Sequence, residues 1–365
     1  MLKQDLLDFN LQELQDFCVL NKLPKFRATQ IWRWIYCFGI KSFKDMNNIS
    51  KITREFLNEI SMISRLEVSE MQESKDGTIK WLIKLNDGSE IETVYIPQED
   101  RGTVCLSSQV GCTLNCSFCH TGTQALVRNL KSSEIIGQLM LVMDHLHDWP
   151  SGKSNRKVTN IVMMGMGEPL LNYKEVSKAI KVMLSDDGIS LSRRRITLST
   201  SGIIPLIEKA GMDLGVNLAI SLHAVNDKLR NQLVPINKKY NLESLIEACR
   251  NYPNLSNSRR ITWEYVMLRD INDTEKDAKN LIKLIRGIPS KINLIPFNPW
   301  PGSFFKTSTK KNIDMFAKVI MEAGFASPIR KPRGQDIFAA CGQLKSDTEK
   351  LRKSQINKLV PTHAI

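Results

Sequence analysis

Three cysteines lie within eight residues of the chain, at Cys112, Cys116 and Cys119. Glycine, asparagine and serine surround them, as in a loop, and buried structural cysteines do not usually cluster in this way. A structural zinc ion needs four ligands, usually from paired cysteine motifs. The sequence has no second pair, and the adjacent His120 is poorly placed to complete a tetrahedron. An iron–sulfur cluster on three thiolates fits better, because one iron then stays open for a substrate or cofactor.

Short polar motifs recur downstream, each at the predicted end of a strand. They are 164–169 (Met-Gly-Met-Gly-Glu-Pro), 199–202 (Ser-Thr-Ser-Gly), 221–223 (Ser-Leu-His) and 296–299 (Pro-Phe-Asn-Pro). Each motif alone is also typical of an ordinary turn. The carboxyl ends of barrel strands form the active sites of such folds. Together with the cysteine loop, the motifs therefore predict a single rim that carries chemistry.

The part of the chain that must position these motifs alternates strand with helix. The six candidate strands cover residues 103–110, 160–165, 195–200, 216–222, 261–268 and 291–296. The helical stretches lie near residues 133–147, 173–185, 203–210, 242–250, 274–287 and 310–323. This alternation is typical of a parallel sheet. A full barrel has eight strands, so six strands predict an α/β fold with an open, partial (β/α)6 TIM-like barrel.

Residues 1–64 are predicted to form a small helical domain. Apolar side chains recur at helical spacing over residues 11–18 and 31–38, with Pro24 between the two segments. A third helix is predicted over residues 51–60. Basic side chains on this unit favour an RNA-binding type of domain.

A β-hairpin is predicted within residues 65–102, because two alternating segments, 79–85 and 91–96, flank an Asn-Asp-Gly turn. The barrel core is then expected to cover residues 103–300. Two further regions complete the predicted organisation, a C-terminal helix with a cysteine loop at residues 301–345 and a basic tail, with the character of a frayed helix, at residues 346–365.

Five more cysteines lie outside the cluster motif, of which Cys18, Cys37 and Cys249 are assigned to apolar helical faces. The other two are candidates for chemistry. Cys341 is part of an Ala-Ala-Cys-Gly-Gln segment. A single cysteine is more often a core residue, but the small neighbours suit an exposed, mobile loop, and Arg330, Lys331 and Arg333 would favour a thiolate. Cys105 is predicted on the first barrel strand, seven residues before the cysteine loop.

Composition excludes several classes of protein. With 42% hydrophobic residues and eight cysteines in 365, the chain is neither disordered throughout nor a disulfide scaffold. No apolar run approaches the roughly 18 residues of a membrane span, and the first ten residues do not resemble a signal peptide. A cytoplasmic location without membrane contact is therefore expected.

The net charge of +13 is unevenly distributed. Residues 1–100 carry 13 basic and 16 acidic side chains, a balance of −3, whereas residues 101–365 carry 38 and 22, a balance of +16. A basic surface of this size favours RNA or DNA as a partner. A solvated basic surface without any partner is the alternative that charge alone leaves open.

The spacing C-x-x-x-C-x-φ-C, with Phe118 at the aromatic position, resembles the signature of the radical S-adenosylmethionine (SAM) superfamily. The resemblance implies a 4Fe–4S cluster on Cys112, Cys116 and Cys119, with its open iron chelating SAM. It also implies one-electron cleavage of SAM to methionine and a 5′-deoxyadenosyl radical. The partial barrel with a cysteine loop after its first strand agrees with the fold of that superfamily.

Within the superfamily, nearly the whole chain is similar to the bacterial enzymes that methylate C2 of an adenine in 23S ribosomal RNA, at the peptidyl-transferase centre. The resemblance rests on the helical unit, Glu92 in Glu-Thr-Val-Tyr-Ile-Pro, residues 107–111, the Gly-Met-Gly-Glu-Pro motif and the segment around Cys341. It implies a second activity on the adenosine 3′ to the anticodon of transfer RNA. Enzymes that methylate C8 of the same adenine resemble the chain less, because Tyr-Ile-Pro fits the C2 enzymes better.

The family mechanism implies roles for three residues and the use of two SAM molecules per turnover. Cys341 takes a methyl group from one SAM, and the radical from the second SAM removes a hydrogen atom from that methyl, whose carbon then adds to C2. Glu92 accepts the C2 proton, and Cys105 attacks the sulfur of Cys341, which forms a disulfide and releases the product. The SAM contacts that the resemblance implies are Gly167, Glu168, Ser199, Ser221, Leu222, His223 and Asn298.

Two alternatives remain beside this reading. One is a C8 methyltransferase of the same superfamily, and the other is a non-catalytic RNA-binding protein stabilised by zinc. For the C2 enzyme, the expected partners are 23S ribosomal RNA, transfer RNA and an electron donor such as flavodoxin or ferredoxin. The chain is expected to act as a monomer.

Overall fold

The computed structural model describes residues 3–346 of the chain. The predicted N-terminal helices are α1 (Leu11–Leu20), α2 (Arg27–Tyr36) and α3 (Lys51–Ile60). A short parallel ribbon of β1 (Gln4–Asp5) and β2 (Ser61–Met62) joins the two ends of this unit.

The helical unit packs directly on the barrel. Trp32, buried on α2, donates from Nε1 to the hydroxyl of Ser185 (3.2 Å). Arg65 forms an ion pair with Asp144 (3.0 Å), and both side chains are largely shielded from solvent. The apolar core of the unit is continuous with that of the barrel. The helical unit and the barrel are therefore joined by a shared core rather than by a linker.

A nine-stranded sheet forms the centre of the described structure. The remaining strands are, in chain order, β3 (Glu67–Glu73), β4 (Ile79–Lys84), β5 (Glu90–Gln98), β6 (Arg101–Cys105), β7 (Gln109–Val110), β8 (Arg128–Asn129), β9 (Asn160–Met163), β10 (Ile196–Thr200), β11 (Asn217–Ser221), β12 (Ile261–Met267) and β13 (Ser290–Pro296). The sheet order is β13-β12-β11-β10-β9-β6-β5-β4-β3, and β7 and β8 pair separately. Strands β6 and β9–β13 are parallel, which confirms the predicted six-stranded partial barrel.

Helices connect and cover the parallel strands. They are α4 (Ser132–His145), α5 (Tyr173–Leu184), α6 (Ile204–Leu214), α7 (Asp227–Leu233), α8 (Leu242–Arg250) and α9 (Glu275–Ile285), with α10 (Lys310–Glu322) after the last strand. Strands β10 and β12 are buried along nearly their whole length, as expected where helices cover one face of a parallel sheet and the barrel interior the other. The short helix α7 was not predicted; its sequence, Asp-Lys-Leu-Arg-Asn-Gln-Leu, is mostly polar.

Two strands differ from the prediction. The first barrel strand, β6, ends at Cys105 rather than near residue 110. The backbone N–H of Ser107 donates to Oε1 of Gln138 (2.8 Å), so the chain leaves the sheet there, and Gln109–Val110 pair with β8 instead. The predicted hairpin of β4 and β5 is present, but β3 adds a third antiparallel strand. Because β3 is exposed along almost its whole length, its sequence lacks the alternation that marks a strand.

The predicted basic tail lies, apart from Ser346, outside the described residues. Within residues 3–346, no helix combines the length and the apolar character needed to cross a membrane.

Candidate active site

The carboxyl ends of the parallel strands surround a cavity that is open to solvent. This edge of the sheet is where the sequence motifs were expected to meet. The predicted site residues that line the cavity are Cys112, Cys116, Cys119, Gly167, Glu168, Ser199, Ser221, His223, Asn298 and Cys341. Glu92, Cys105 and Leu222 are not among its lining residues.

Backbone hydrogen bonds fold the cysteine loop tightly. Cys119 N–H donates to the carbonyl of Cys116 (3.1 Å), and Gly122 N–H donates to the carbonyl of Cys119 (3.0 Å). A Cβ atom at Gly122 would lie 2.5 Å from the oxygen of Cys116, which no side chain could tolerate. Glycine at this position therefore lets the loop close, so that all three cysteines reach the same cavity.

The three thiols fit a metal cluster by their chemistry. Burial raises the pKa of Cys112 to about 12 and raises the pKa values of Cys116 and Cys119 as well. Without a bound cation the thiols therefore stay protonated, whereas metal binding takes thiolates. In the described part of the chain, no three His, Cys, Asp or Glu side chains gather as a site for one metal ion. Three cysteine sulfurs in the wall of one cavity are the ligands that an iron–sulfur cluster requires.

Gly167 and Glu168 follow β9 in the chain and lie in the cavity wall. The backbone of Gly167 has φ +93°, and a Cβ there would lie 2.4 Å from Cβ of Gln109. The buried carboxylate of Glu168 accepts from the backbone N–H of Ser201 (2.9 Å) and of Leu170 (3.2 Å). Burial raises the pKa of Glu168 to about 7, so this carboxyl can change protonation near neutrality.

His223 offers a neutral polar group to the cavity. Its Nδ1 accepts from the backbone N–H of Val266 (3.0 Å), which leaves the ring proton on Nε2. Burial and the nearby charge of Arg230 lower the pKa of His223 to about 3, so the ring stays uncharged. The ring of Phe118 meets it edge-on, with centroids 4.5 Å apart.

Leu222 lies in the core rather than in the cavity wall. Its side chain is fully buried. Its backbone N–H donates to the carbonyl of Glu264 (3.1 Å), and its own carbonyl accepts from Ala224 N–H (2.8 Å). Both backbone groups of Leu222 therefore have protein partners.

The C-terminal segment, residues 334–346, docks over the cysteine loop. Asn298 Nδ2 donates to the carbonyl of Cys341 (3.1 Å), and Gln335 Nε2 donates to Oδ1 of Asn298 (3.1 Å). His120 N–H donates to the carbonyl of Gly342 (2.8 Å). The segment was expected to be an exposed, mobile loop; Cys341 is exposed, and these contacts place it in the cavity wall.

Cys341 and Cys105 are both free thiols. Cys341 is exposed to the cavity but surrounded by protein, and desolvation raises its pKa to about 11. The charge of Arg330 lowers the pKa of Cys341, as expected, but by less than desolvation raises it. Cys105 is buried at the end of β6, and its pKa, about 12, is raised first by burial and then by the charge of Cys341. The two sulfurs are therefore near enough to interact electrostatically.

Glu92 is buried on β5 beside the C-terminal segment. Its carboxylate forms an ion pair with Lys80 (2.9 Å) and accepts from the backbone N–H of Lys345 (2.8 Å). Burial raises its pKa, although Lys80 opposes the shift. A surface carboxylate on a strand would have none of these contacts.

Sequence reasoning missed two charged residues of this region. Glu264 on β12 is buried in the cavity wall, where Asn293 Nδ2 donates to it (2.8 Å) and Arg330 lies 3.9 Å away. The sequence does indicate that Glu264 is unusual, because it is the charged residue in an otherwise largely apolar strand. Arg230 on α7 is fully buried, but its polar helix gave no sign of this.

The fold and the cavity together define a radical SAM enzyme. Residues 106–284 match the family model described as the radical SAM superfamily. The crystal structure of a radical SAM methyltransferase from Sphaerobacter thermophilus superposes with a TM-score of 0.86 at 38% sequence identity, covering 94% of this chain and 99% of that one. The protein is therefore a SAM-dependent methyltransferase of a superfamily that uses a 4Fe–4S cluster.

Further matches identify the family. Residues 4–63 match the ribosomal RNA large subunit methyltransferase N-terminal domain. The dual-specificity RNA methyltransferase RlmN of Bartonella tribocorum is 57% identical over 363 residues, covering 96% of this chain and 89% of the relative. The protein of the same name from Sinorhizobium fredii is 58% identical over 349 residues, covering 92% and 85%. The chain belongs to the RlmN family of dual-specificity RNA methyltransferases.

Proposed function

We propose that the protein methylates C2 of one adenosine in 23S ribosomal RNA, at the peptidyl-transferase centre, and of the adenosine 3′ to the anticodon in transfer RNA. The observation that carries this proposal is a free thiol on the cavity wall, Cys341, together with a second free thiol, Cys105, buried at the end of β6. A methyltransferase that transferred a methyl group directly would need neither thiol. The relatives' name, dual-specificity RNA methyltransferase, supports the two RNA substrates.

Cys112, Cys116 and Cys119 would hold the 4Fe–4S cluster. When bound, the cluster supplies the electron that cleaves SAM. Residues around the same cavity would contact SAM, and those we assign are Gly167, Glu168, Ser199, Ser221, His223 and Asn298, with Leu222 acting through packing. The neutral Nε2–H of His223 can donate a hydrogen bond without adding a charge.

Cys341 would carry the methyl carbon. Its thiolate is the nucleophile that a SAM methyl group requires, and Arg330 favours that thiolate against burial. The hydrogen bond from Asn298 to the Cys341 carbonyl fixes the backbone of the thiol over the cysteine loop. Asn298 thereby links the SAM region to the methyl carrier.

Glu92 and Cys105 would complete the reaction. The adduct of the methylene radical with C2 would lose one electron to the oxidised cluster, and Glu92 would take the C2 proton. Cys105 then attacks the sulfur of Cys341. The bond between that sulfur and the methylene carbon breaks, its electron pair stays with carbon, and carbon is protonated to the methyl group. The resulting disulfide between Cys105 and Cys341 must then be reduced by an external thiol. Both sulfurs are free thiols in the structure, so the disulfide remains a prediction.

The basic part of the chain would bind the RNA phosphates. The target adenine must leave its stack to enter the cavity. The electron would come from a small donor such as flavodoxin or ferredoxin, and we expect a monomer. Because ribosomal and transfer RNA are the substrates, we assign the reaction to the cytoplasm.

Analysis of the product nucleoside tests this function. The full chain with a reconstituted cluster is incubated anaerobically with unmodified RNA, SAM and a reductant, and the digested RNA is examined by mass spectrometry against standards. We expect 2-methyladenosine from both RNA substrates. 8-Methyladenosine instead would favour the C8 enzyme, and anaerobic protein that holds one zinc and no iron or sulfide would favour the RNA-binding alternative.

A further inference from the structure

Arg230 joins two strand ends from behind the cavity wall. The side chain is fully buried, and Nη2 donates to the carbonyls of Ser201 (2.7 Å) and Ser221 (3.1 Å). Nε donates to the carbonyl of Leu222 (3.1 Å), and Nη1 donates to Oδ1 of Asn237 (2.8 Å). Ser201 and Ser221 line the cavity, so the guanidinium sits directly beneath the ends of β10 and β11.

No carboxylate neutralises this buried cation at close range. Among residues 3–346, no Asp or Glu oxygen lies within 4.0 Å of its nitrogens. The carboxylate of Asp227 reaches it through a neutral amide, because Asn237 Nδ2 donates to Asp227 Oδ1 (2.7 Å). Burial lowers the pKa of Arg230 to about 10, which still leaves it charged at neutral pH. A buried charge without a counter-charge destabilises a fold unless a bound group of opposite sign compensates it.

The cysteine loop lies against the same helix. Ser117 N–H donates to the carbonyl of Leu233 at the end of α7 (3.1 Å). Leu233 also packs in one apolar cluster with Phe118, and Cys116 borders that cluster. The helix that carries Arg230 is therefore in direct contact with the cysteine loop.

We propose that Arg230 is a positioning residue, whose positive charge behind the cavity wall favours the reduced state of the iron–sulfur cluster that the cysteine loop would hold. The inference rests on the proposed function in that Cys112, Cys116 and Cys119 bind the cluster. With three thiolate ligands, the oxidised cluster carries one net negative charge, and one electron from the external donor adds a second. A fixed cation in a region of low dielectric constant stabilises the more negative state more strongly. Arg230 therefore makes the cluster easier to reduce.

A redox titration of the full chain, followed by the electron paramagnetic resonance signal of the reduced cluster, tests this role. Arg230→Met removes the charge and is expected to shift the midpoint potential to a more negative value. Arg230→Lys keeps the charge and should restore most of that shift, although it loses the forked hydrogen bonds. Arg259→Met is the matched control, because Arg259 also donates to a backbone carbonyl, that of Val216 (2.9 Å), but at the amino end of β11, whereas Arg230 binds its carboxyl end. It should leave the potential unchanged.

Equal midpoint potentials for the wild type and Arg230→Met, at equal iron content, would overturn the proposal. If Arg230→Met fails to retain iron, Asp227→Asn provides a second test. Asp227 is linked to Arg230 through Asn237, and its negative charge opposes the effect of the guanidinium. The substitution keeps an acceptor for Leu242 N–H (2.9 Å) but removes a negative charge, so the potential should become less negative. An unchanged potential there would equally contradict the proposal. The wild type is titrated first, because the lack of any reducible cluster would contradict the proposed function rather than the role of Arg230.

Discussion

The parallel and antiparallel parts of the central sheet contribute different things to the cavity. In the parallel part, strands β6 and β9–β13 end in the cysteine loop and in the motifs assigned to SAM. The antiparallel part, β3–β5, forms hydrogen bonds with the C-terminal segment. Glu92 accepts from Lys345 N–H, and Asp76, in the turn before β4, accepts from Gly334 N–H (3.1 Å). The residues proposed to hold the cofactors thus belong to the parallel part, whereas the C-terminal segment is anchored on both parts, because Asn298 and His120 also donate to it.

Cys105 lies where the two parts meet. Its strand, β6, pairs in parallel with β9 and antiparallel with β5. The comparison predicts that radical generation depends on the parallel part alone, whereas methyl transfer depends on both parts. Changes in the parallel part should therefore stop both processes, whereas changes in the antiparallel part should stop transfer alone.

Removal of one cluster ligand should have the largest effect. Cys112→Ala, Cys116→Ala or Cys119→Ala is expected to lose the cluster and all cleavage of SAM, because three ligands leave no spare. Iron content and 5′-deoxyadenosine, quantified by chromatography, measure the two losses. Cys37→Ala, which changes a half-buried cysteine just after α2, is the control and should keep both. A cluster-ligand variant with full iron and normal cleavage would refute the assignment.

Glu92→Gln should separate the two parts of the sheet. Loss of a general base lowers rates by roughly 100-fold or more, so methylation of RNA should fall by that amount while SAM cleavage continues. Because the base must be ionised and burial raises its pKa, methylation in the wild type should decline as the pH falls. Glu67→Gln on the exposed strand β3 is the matched control. A parallel loss of SAM cleavage in Glu92→Gln would break the proposed separation.

Arg330 should have an intermediate effect on the thiol of Cys341. Below its pKa of about 11, the thiolate fraction and hence the rate of alkylation by iodoacetamide should rise about tenfold per pH unit. Arg330→Met raises that pKa further, so alkylation at a given pH should slow several-fold. Peptide mass spectrometry follows Cys341 alone, with Lys318→Met on the exposed face of α10 as the control. An unchanged or faster rate would mean that Arg330 does not favour the thiolate.

Asp336 should have the smallest effect. Its carboxylate accepts from the hydroxyl of Ser74 (2.6 Å) and helps to anchor the C-terminal segment, but it is exposed. Asp336→Ala should therefore lower methylation only a few-fold and make residues 334–346 cleave faster in limited proteolysis. Asp314→Ala on the exposed face of α10 should change neither. Normal proteolysis with full activity would show that this anchor is dispensable.

The parallel part of the fold could be predicted from sequence because its signals are local. Each strand is a short apolar run, and each motif follows its strand directly, as Gly167 and Glu168 follow β9. Elementary sheet geometry then brings the strand ends together without further information. The resemblance of the cysteine spacing to a known superfamily supplied the cofactor.

The rest depended on contacts between distant residues. Glu92 and Lys345 are 253 residues apart, and no local pattern shows that the C-terminal segment will bury this carboxylate. Leu222 stands between two polar cavity residues, yet its side chain points into the core. The burial of Arg230 likewise follows from how α7 docks beneath two strands, which its polar sequence does not reveal.

The covalent relay through Cys341 is the central claim, and a denaturing gel after reaction with labelled RNA tests it most directly. Cys105→Ala should still accept a methyl group on Cys341 and form the carbon bond to adenine, but it lacks the thiol that releases the product. It should therefore show a slowly migrating protein–RNA band. Cys341→Ala should bind the cluster and show no such band and no methylated RNA. Identical gels for the two variants, or methylated RNA from Cys341→Ala, would contradict the account.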